Sequence, residues 1–388
     1  MAEEEEGGAG RSRDSSRLRA VRISLADPVS YTIPYDRSLA GALARRGHEV
    51  DLFTASFLFA ELPPPDGYRQ HDVFFTRSAR VLRGNPRSRF RFLVKGLEYV
   101  PSARRLQKEI ARLDPDVLHV QWLGLPRFDL RWLEAVQRER PVVFTAHDVL
   151  PRRTADSLDL WRQVFSTVDR VVVHGAAATE QLVELGVDRT KIVRIPHPVF
   201  TPTREIAPPQ GSTILFFGLI RRSKGLDLLV RALPAIAERV PDVRLVIAGD
   251  PIEPAEPYQE LARELGIAER IDWRLRFLAE EEIADVMEEA ALVALPYREI
   301  ESSGVLATAL GHGRPAVVTD VGSLGDVVRE FEVGEVVPPE DAAALAEACS
   351  RLLLEPPGTT TKAREALTWE RAAEAHERVY LELLEARA

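Results

Sequence analysis

Two hydrophobic patterns alternate along this chain. Short apolar runs rich in β-branched residues read as strands, and segments with apolar positions three and four apart read as amphipathic helices. In the first half "AVRISLAD", "HEVDLFTA", "DVLHVQW", "PVVFTAHD" and "VDRVVVHG" read as strands. Between them "YDRSLAGALARRG", "RFDLRWLEAVQRER" and "AAATEQLVELG" read as helices, the first closing on Gly47 as a C-cap. The pattern then breaks in "IPHPVFTPTREIAPPQGST", which holds five prolines and no periodicity. After it the alternation restarts with "ILFFGLI", "KGLDLLVRALPAIAERV", "VRLVIAGD", "YQELARELG", "IDWRLRF", "EEEIADVMEEA", "LVALPY", "GVLATALGHG" and "PAVVTD". Two amphipathic helices, "DAAALAEACSRLLLE" and "TWERAAEAHERVYLELLEA", end the chain. Strands separated by helices predict parallel, doubly wound sheets.

The expected organisation is a leader (1–17), an N-terminal α/β domain (18–200), a linker (201–212), a C-terminal α/β domain (213–365) and a closing helix (366–388). The leader begins "MAEEEEGGAG", acidic and polar where a signal peptide carries a basic and then an apolar region, and it is expected to be disordered. In open α/β sheets ligands bind beyond the carboxyl ends of the strands, so the loops after each strand are the places to look for chemistry.

Composition narrows the classes. With 388 residues, 45% of them hydrophobic, the chain can bury two cores. It has no apolar run of eighteen residues, so no spanning helix is expected. A formal net charge of −9 argues against general nucleic-acid binding. The single cysteine, Cys349, lies in a helical pattern and reads as a core or surface thiol. One cysteine excludes an intramolecular disulfide framework and a zinc–cysteine cluster, and it suits a reducing cytoplasm.

Two loops carry candidate chemistry. In "FFGLIRRSKGLD", Gly218 permits a tight turn at a strand end, and Arg221, Arg222 and Lys224 precede a helix. Loop cations beside the positive end of a helix suit a phosphate, and a solvated basic turn is the plain alternative. Neither a dinucleotide fingerprint nor a P-loop spacing is present. In "PYREIESSGVLATALGHGRPAVVTDVGS", Ser302, Ser303 and Gly304 lead from a strand end into a helix. Such a turn offers backbone N–H groups to an anion, and it equally fits an ordinary serine cap.

Together these stretches resemble the donor half of a nucleotide-sugar-dependent glycosyltransferase, in the large retaining family called family 4, of the GT-B type. The order of "FFGLIRRSKGLDLLVRAL", "VRLVIAGD", "LVALPYRE", "SSGVLATALGHGRPAVVTDVGS" and "TWERAAEAHERVY", with "LAGALARRGHEVDLFT", "VVFTAHD" and "VRIPHPV" in the first half, carries the resemblance over roughly residues 18–383. It implies two Rossmann-like parallel-sheet domains facing across a cleft, the nucleotide-sugar on the C-terminal one and the acceptor on the N-terminal one. It also implies that the final helix can cross back to the N-terminal domain. Arg221 and Lys224 would hold the donor diphosphate, and Ser303, Gly304 and Val305 would reach the phosphates through backbone N–H groups. Arg276 and Phe277 would line the base, with strand packing the other role open to Phe277. Neither a divalent metal nor a separate cofactor is expected, since the cations neutralise the leaving group.

The chain departs from the family in two places. Leu219 follows the strand-end glycine where many relatives carry arginine, which puts the weight on Arg221. The family's pair of glutamates around the glycine-rich turn is also broken. Counted back from Pro315 the two positions are Ile300 and Thr308; shifted by one they are Glu301 and Ala309. Glu301 is left either as a donor-sugar contact or as a surface carboxylate; the second glutamate, which binds the ribose in relatives, is absent in either register, which leaves the ribose contact and the donor open, with Thr308 among the donor-binding candidates.

In the first half, His147 in "FTAHDVLP" matches a family histidine near the reacting sugar, where it could donate a hydrogen bond. Asp148 could orient it or cap the next element. His119 reads as buried at the sheet edge and His197 as structural. Asp27, Ser30, Tyr31 and Thr32 in "ADPVSYTIPYD" are acceptor candidates, and Asp27 and Ser30 equally suit the turn itself. From Arg77 to Lys108 there are ten Lys/Arg and one acidic residue, Glu98, interleaved with apolar positions. Such a segment suits an anionic membrane surface, a solvated helix face or an acidic soluble acceptor.

The expected activity is retaining, metal-independent hexosyl transfer from a nucleoside-diphosphate-sugar to a lipid-linked or cell-envelope glycan, in the cytoplasm or peripheral on the inner membrane face. A GT-B nucleotide-sugar epimerase and a catalytically weak nucleotide-sugar-binding partner protein are the alternatives.

Overall fold

The computed structural model describes residues 19–57, 62–82, 91–202 and 204–388; the expected leader lies outside the described residues, as does part of the basic stretch. The N-terminal unit runs β1 (Arg22–Asp27), α1 (Ile33–Arg45), β2 (Glu49–Ala55), β3 (Arg69–Phe74), α2 (Thr76–Leu82), α3 (Arg91–Leu113), β4 (Val117–Val120), α4 (Pro126–Glu139), β5 (Val142–Thr145), α5 (Leu158–Thr167), β6 (Arg170–Val173), α6 (Ala176–Glu184) and β7 (Ile192–Arg194). The C-terminal unit runs β8 (Thr213–Phe217), α7 (Leu226–Arg239), β9 (Arg244–Ala248), α8 (Glu256–Glu264), β10 (Ile271–Arg274), α9 (Glu280–Glu289), β11 (Leu292–Leu295), α10 (Gly304–Gly311), β12 (Ala316–Thr319), α11 (Leu324–Phe331), β13 (Gly334–Val337), α12 (Ala342–Leu354), α13 (Thr361–Ala366) and α14 (Trp369–Arg387).

Each unit holds one sheet, ordered β3-β2-β1-β4-β5-β6-β7 in the first and β10-β9-β8-β11-β12-β13 in the second. The described pairings are parallel, for example Leu25 beside Leu52 and Phe216 beside Ile247. Parallel strands lie buried on both faces, which is why β4, β5, β11 and β12 read as largely apolar runs. Strand order reverses between β1 and β4 in one sheet and between β8 and β11 in the other. Those reversals open a crevice at the carboxyl ends of the strands, and every candidate loop lies there.

The last helix, α14, packs on α1 of the N-terminal unit. Trp369, Ala373, Tyr380 and Leu383 join Leu39 and Leu43 in one apolar cluster. Polar contacts fix the docking: Arg46 pairs with Glu377, His48 Nε2 lies 3.1 Å from Glu377 Oε1, and Arg387 donates to the Gln137 carbonyl at 2.7 Å. Tyr380 O–H sits 2.7 Å from His119 Nδ1. His119 is fully buried, but on β4 in the middle of the sheet, which corrects the expected edge position.

Candidate active site

The loop after β8 is shaped by backbone crowding. Gly225 has φ 66°, and a Cβ there would lie 1.8 Å from the Pro296 carbonyl oxygen. Only glycine fits a left-handed turn at that approach. The loop is therefore pressed against the end of β11, and Gly218 faces Val305 at the start of α10. Arg298 secures the arrangement. Its guanidinium is bidentate to Asp227 at 2.8 and 2.9 Å, donates to the Arg222 carbonyl at 2.7 Å and pairs with Glu340. Its backbone N–H donates to the Ser223 carbonyl at 2.9 Å.

The loop holds Lys224 buried, with Nζ 3.6 Å from the centre of the Tyr297 ring, a cation–π contact. Burial first, then the charges of Arg221 and Arg152, bring the Lys224 pKa down to about 7. Burial and Arg152 likewise lower the Arg221 pKa, and Arg221 Nε has no hydrogen-bond partner among the described residues. Partly desolvated cations held close together, with Asp148 and Glu299 compensating only part of their charge, form a site preorganised for an anion. At its edge α10 starts from Ser303, whose Oγ accepts from the Leu306 N–H at 3.3 Å.

The N-terminal unit closes the other side. Arg152 reaches across to Glu299 at 2.7 Å, and Glu301 accepts from the Val149 N–H at 3.3 Å. Burial and then the charge of Asp148 push the Glu301 pKa up to about 7, against the pull of the Val149 bond. Asp148 is also raised, by burial. His147 lies behind this pair, stacked on Trp122 at 5.4 Å and edge-on to Tyr35 at 4.9 Å. Its Nε2 is 2.9 Å from Gln121 Oε1 and its Nδ1 is 3.3 Å from His174 Nε2. Burial holds its pKa well below the usual imidazole value.

Comparison with known proteins fits this arrangement. Residues 37–201 match the family model described as Glycosyltransferase Family 4, and residues 211–355 the one described as Glycosyl transferases group 1. Phosphatidyl-myo-inositol mannosyltransferase of Mycobacterium tuberculosis (strain ATCC 25618 / H37Rv) is 30% identical over 358 residues, 84% of this chain and 86% of the relative. The chain belongs to the family 4, group 1 glycosyltransferases. A D-inositol 3-phosphate glycosyltransferase of Mycobacterium sp. (strain JLS) is 28% identical over 361 residues, 83% of this chain and 77% of the relative. Among solved structures, sucrose-phosphate synthase from Thermosynechococcus elongatus has a TM-score of 0.72 at 22% identity, over 94% of this chain and 99% of that one. The catalytic domain of starch synthase IV from Arabidopsis thaliana has 0.70 at 11%, over 94% of this chain and 100% of that one. The fold is GT-B.

In this glycosyltransferase the candidates from the sequence fall into distinct groups. Gly218, Arg221, Lys224, Glu301, Ser302 and Ser303 belong to the two loops that meet at the β8–β11 reversal, and Gly304 and Val305 open α10 there. Glu301 is largely buried and crosses the cleft, so it is not a surface carboxylate. On α10, Ala309 is fully buried in the apolar core, whereas Thr308 is partly exposed and bonds the Gly304 carbonyl at 2.8 Å. The more exposed of the two positions therefore carries a hydroxyl. Phe277 lies beyond the end of β10, 42% exposed and edge-on to Phe57 across the cleft at 6.2 Å, which corrects the strand-packing alternative. Arg276 is exposed and paired with Glu282 at 2.8 Å, at the start of α9.

The acceptor candidates divide. Asp27 is fully buried, and its carboxylate accepts from the N–H groups of Val29, Ser30 and Thr32 at 3.0, 2.7 and 3.3 Å. It builds the turn, and burial removes it from contact with an acceptor. Ser30 Oγ is likewise committed to β2, accepting from the Ala55 N–H at 2.8 Å. Thr32 Oγ1 accepts from Trp122 Nε1 at 2.9 Å, and Tyr31, 61% exposed, lies edge-on to Trp122. Tyr31 thus presents an open ring at the rim. Sequence reasoning missed Arg152, Gln121, Trp122, His174 and Arg298. Gln121, Trp122 and Arg298 follow closely on strand ends at the two reversals, which is the signal that could have found them.

Proposed function

We propose that this glycosyltransferase moves a hexose from a nucleoside-diphosphate-sugar to a hydroxyl of a lipid-borne acceptor, with retention at the anomeric carbon. The buried Lys224 and half-buried Arg221, neither of them in an ion pair among the described residues, lie beside the start of α10 and carry the proposal. They meet the diphosphate as the bond between the anomeric carbon and its oxygen breaks. The acceptor oxygen bonds the same face of that carbon, and its proton passes to the departing phosphate oxygen. Fixed cations in a desolvated site supply the charge stabilisation that a divalent ion supplies elsewhere, so the transfer is written without a metal. His147 and Glu301 border the sugar, and Thr308 takes the place of the absent glutamate near the ribose.

The test is a thermal-shift panel of nucleoside diphosphates and their sugar conjugates, because a ligand of the native state raises Tm. One nucleotide class should do so. With the intact sugar conjugate, the shift should shrink as pH rises above about 7, the range in which Lys224 loses its proton. Glu301 gains negative charge over the same range and acts in the same direction. No shift with any nucleotide would sink the donor assignment, and epimerised sugar from donor alone would replace transfer with epimerisation.

Lipid-borne acceptors are supported by the names of the relatives and by the basic stretch 77–108. Its described part shows Glu98 capping α2, accepting from the N–H groups of Arg77 and Ser78 at 2.9 and 2.7 Å. Along α3, Leu97 is 76% exposed and Arg104, Arg105, Lys108 and Arg112 are exposed with it. Attraction of about 1 kcal/mol per basic residue near an anionic surface is enough for reversible docking. Co-sedimentation with anionic vesicles should be strong at low salt and lost at high salt; equal binding to neutral vesicles would overturn the electrostatic docking. Among the described residues no helix is long and apolar enough to cross a membrane.

A further inference from the structure

We propose that His174 is a positioning residue that fixes the tautomer of His147, so that His147 presents a lone pair at Nε2 and recognises a sugar hydroxyl by accepting its hydrogen bond. Hydrogen-bond chemistry in the buried cluster dictates this. His174 Nδ1 lies 2.9 Å from the Ile195 carbonyl oxygen, which can only accept, so Nδ1 carries the proton. Burial brings the His174 pKa down to about 4, so the ring is neutral and its Nε2 has a lone pair. That lone pair faces His147 Nδ1 at 3.3 Å, so His147 donates from Nδ1. His147 is also neutral, which leaves Nε2 unprotonated.

Gln121 completes the assignment. A half-turn of its amide places the NH₂ toward His147 Nε2 and the oxygen toward His119 Nε2, positions now 2.9 and 3.3 Å away in the opposite sense. His119 then donates from Nε2, chiefly to Thr145 Oγ1 at 2.7 Å with the Gln121 oxygen as the longer second acceptor, and Tyr380 O–H donates to His119 Nδ1 at 2.7 Å. Every polar atom in the chain from Ile195 to Tyr380 has a partner and no ring carries charge. The opposite tautomer of His147 would set two lone pairs against each other at the His174 contact. The donor role expected of His147 from sequence is thereby reversed. A sugar hydroxyl takes the place of the Gln121 N–H.

The bearing on turnover rests on the reading that His147 borders the reacting sugar; the tautomer itself does not. The first measurement is nitrogen NMR of histidine-labelled protein at pH 8, with the His147 signal assigned from His147→Gln. Wild type should show the Nδ1–H form, His174→Gln should keep it because an amide oxygen can still accept, and His174→Phe should convert His147 to the Nε2–H form. An Nε2–H or imidazolium His147 in wild type, or an unchanged form in His174→Phe, would overturn the proposal. The second measurement is turnover. His174→Phe should lower kcat about 10–100-fold with the donor KM within about twofold, and His174→Gln should recover most of it. Full kcat in His174→Phe alongside a converted tautomer would overturn the acceptor role. Full activity in His147→Ala would instead remove the placement of His147 beside the sugar, leaving the tautomer result standing.

Discussion

Replacing Arg221 and Lys224 together by alanine should lower turnover at least about 10³-fold at saturating donor, since removing a single preorganised charge-stabilising group already costs about 10²–10³. Release of nucleoside diphosphate measures it. The ligand-free variant should melt no lower than wild type, and the sign follows from Lys224. Its pKa in the folded protein, about 7, lies below its ordinary value. Its charge therefore costs stability in full below pH 7, and the cost fades as pH rises toward the unfolded value. Removing both cations relieves this desolvation cost, which outweighs the Asp148 attraction and lowers both pKa values, and no ion pair among the described residues is broken. The same variant should lose the nucleotide-induced rise in Tm. Unchanged turnover would sink the diphosphate assignment, and a collapsed Tm would show the cations to be structural.

Substituting Arg298 by methionine should have the next largest effect. Asp227 would be left half-buried without its bidentate partner, and the Arg222 carbonyl and the Glu340 side chain would lose their donor. Unpairing a carboxylate at this depth costs about 2 kcal/mol, below the range for full burial. For a unit of this size that lowers Tm by roughly 4–8 °C. The functional effect is separate, because Arg298 is the strut under the loop that aims Arg221 and Lys224. Donor affinity should fall about tenfold, read by calorimetry with the sugar conjugate. A lowered Tm with unchanged donor affinity would show that the loop holds its shape without the strut.

The fold was legible where physics acts locally. Strands buried on both faces must be largely apolar, so β1, β2, β4, β5, β6, β8, β9, β11 and β12 stand out in the sequence. The strands that do not are β3, β7 and β13, all three edges, while the fourth edge, β10, does read as a strand in "IDWRLRF". An edge strand pairs on one side and borders solvent, so "RQHDVF" can be polar and "IVR" and "GEVV" can be short. Their partners, not their patterns, make them strands.

The candidate site divides in the same way. Sequence by itself determined the family, the two α/β units and the basic loop "RRSKG" before a helix, because glycine at a turn and cations at a helix start are local features. It left Asp27 between acceptor and turn, Glu301 between sugar and surface, and the second glutamate position between Thr308 and Ala309. Only the tertiary structure decided these, since each depends on burial and on partners distant in the chain. Asp27 is enclosed by its own loop, Glu301 meets Val149 from the other unit, and Ala309 faces the core while Thr308 does not. The same holds for His147. Its type marked it as a candidate, but the nitrogen that carries its proton is set by His174 and Ile195, which reach it only because β5, β6 and β7 lie side by side.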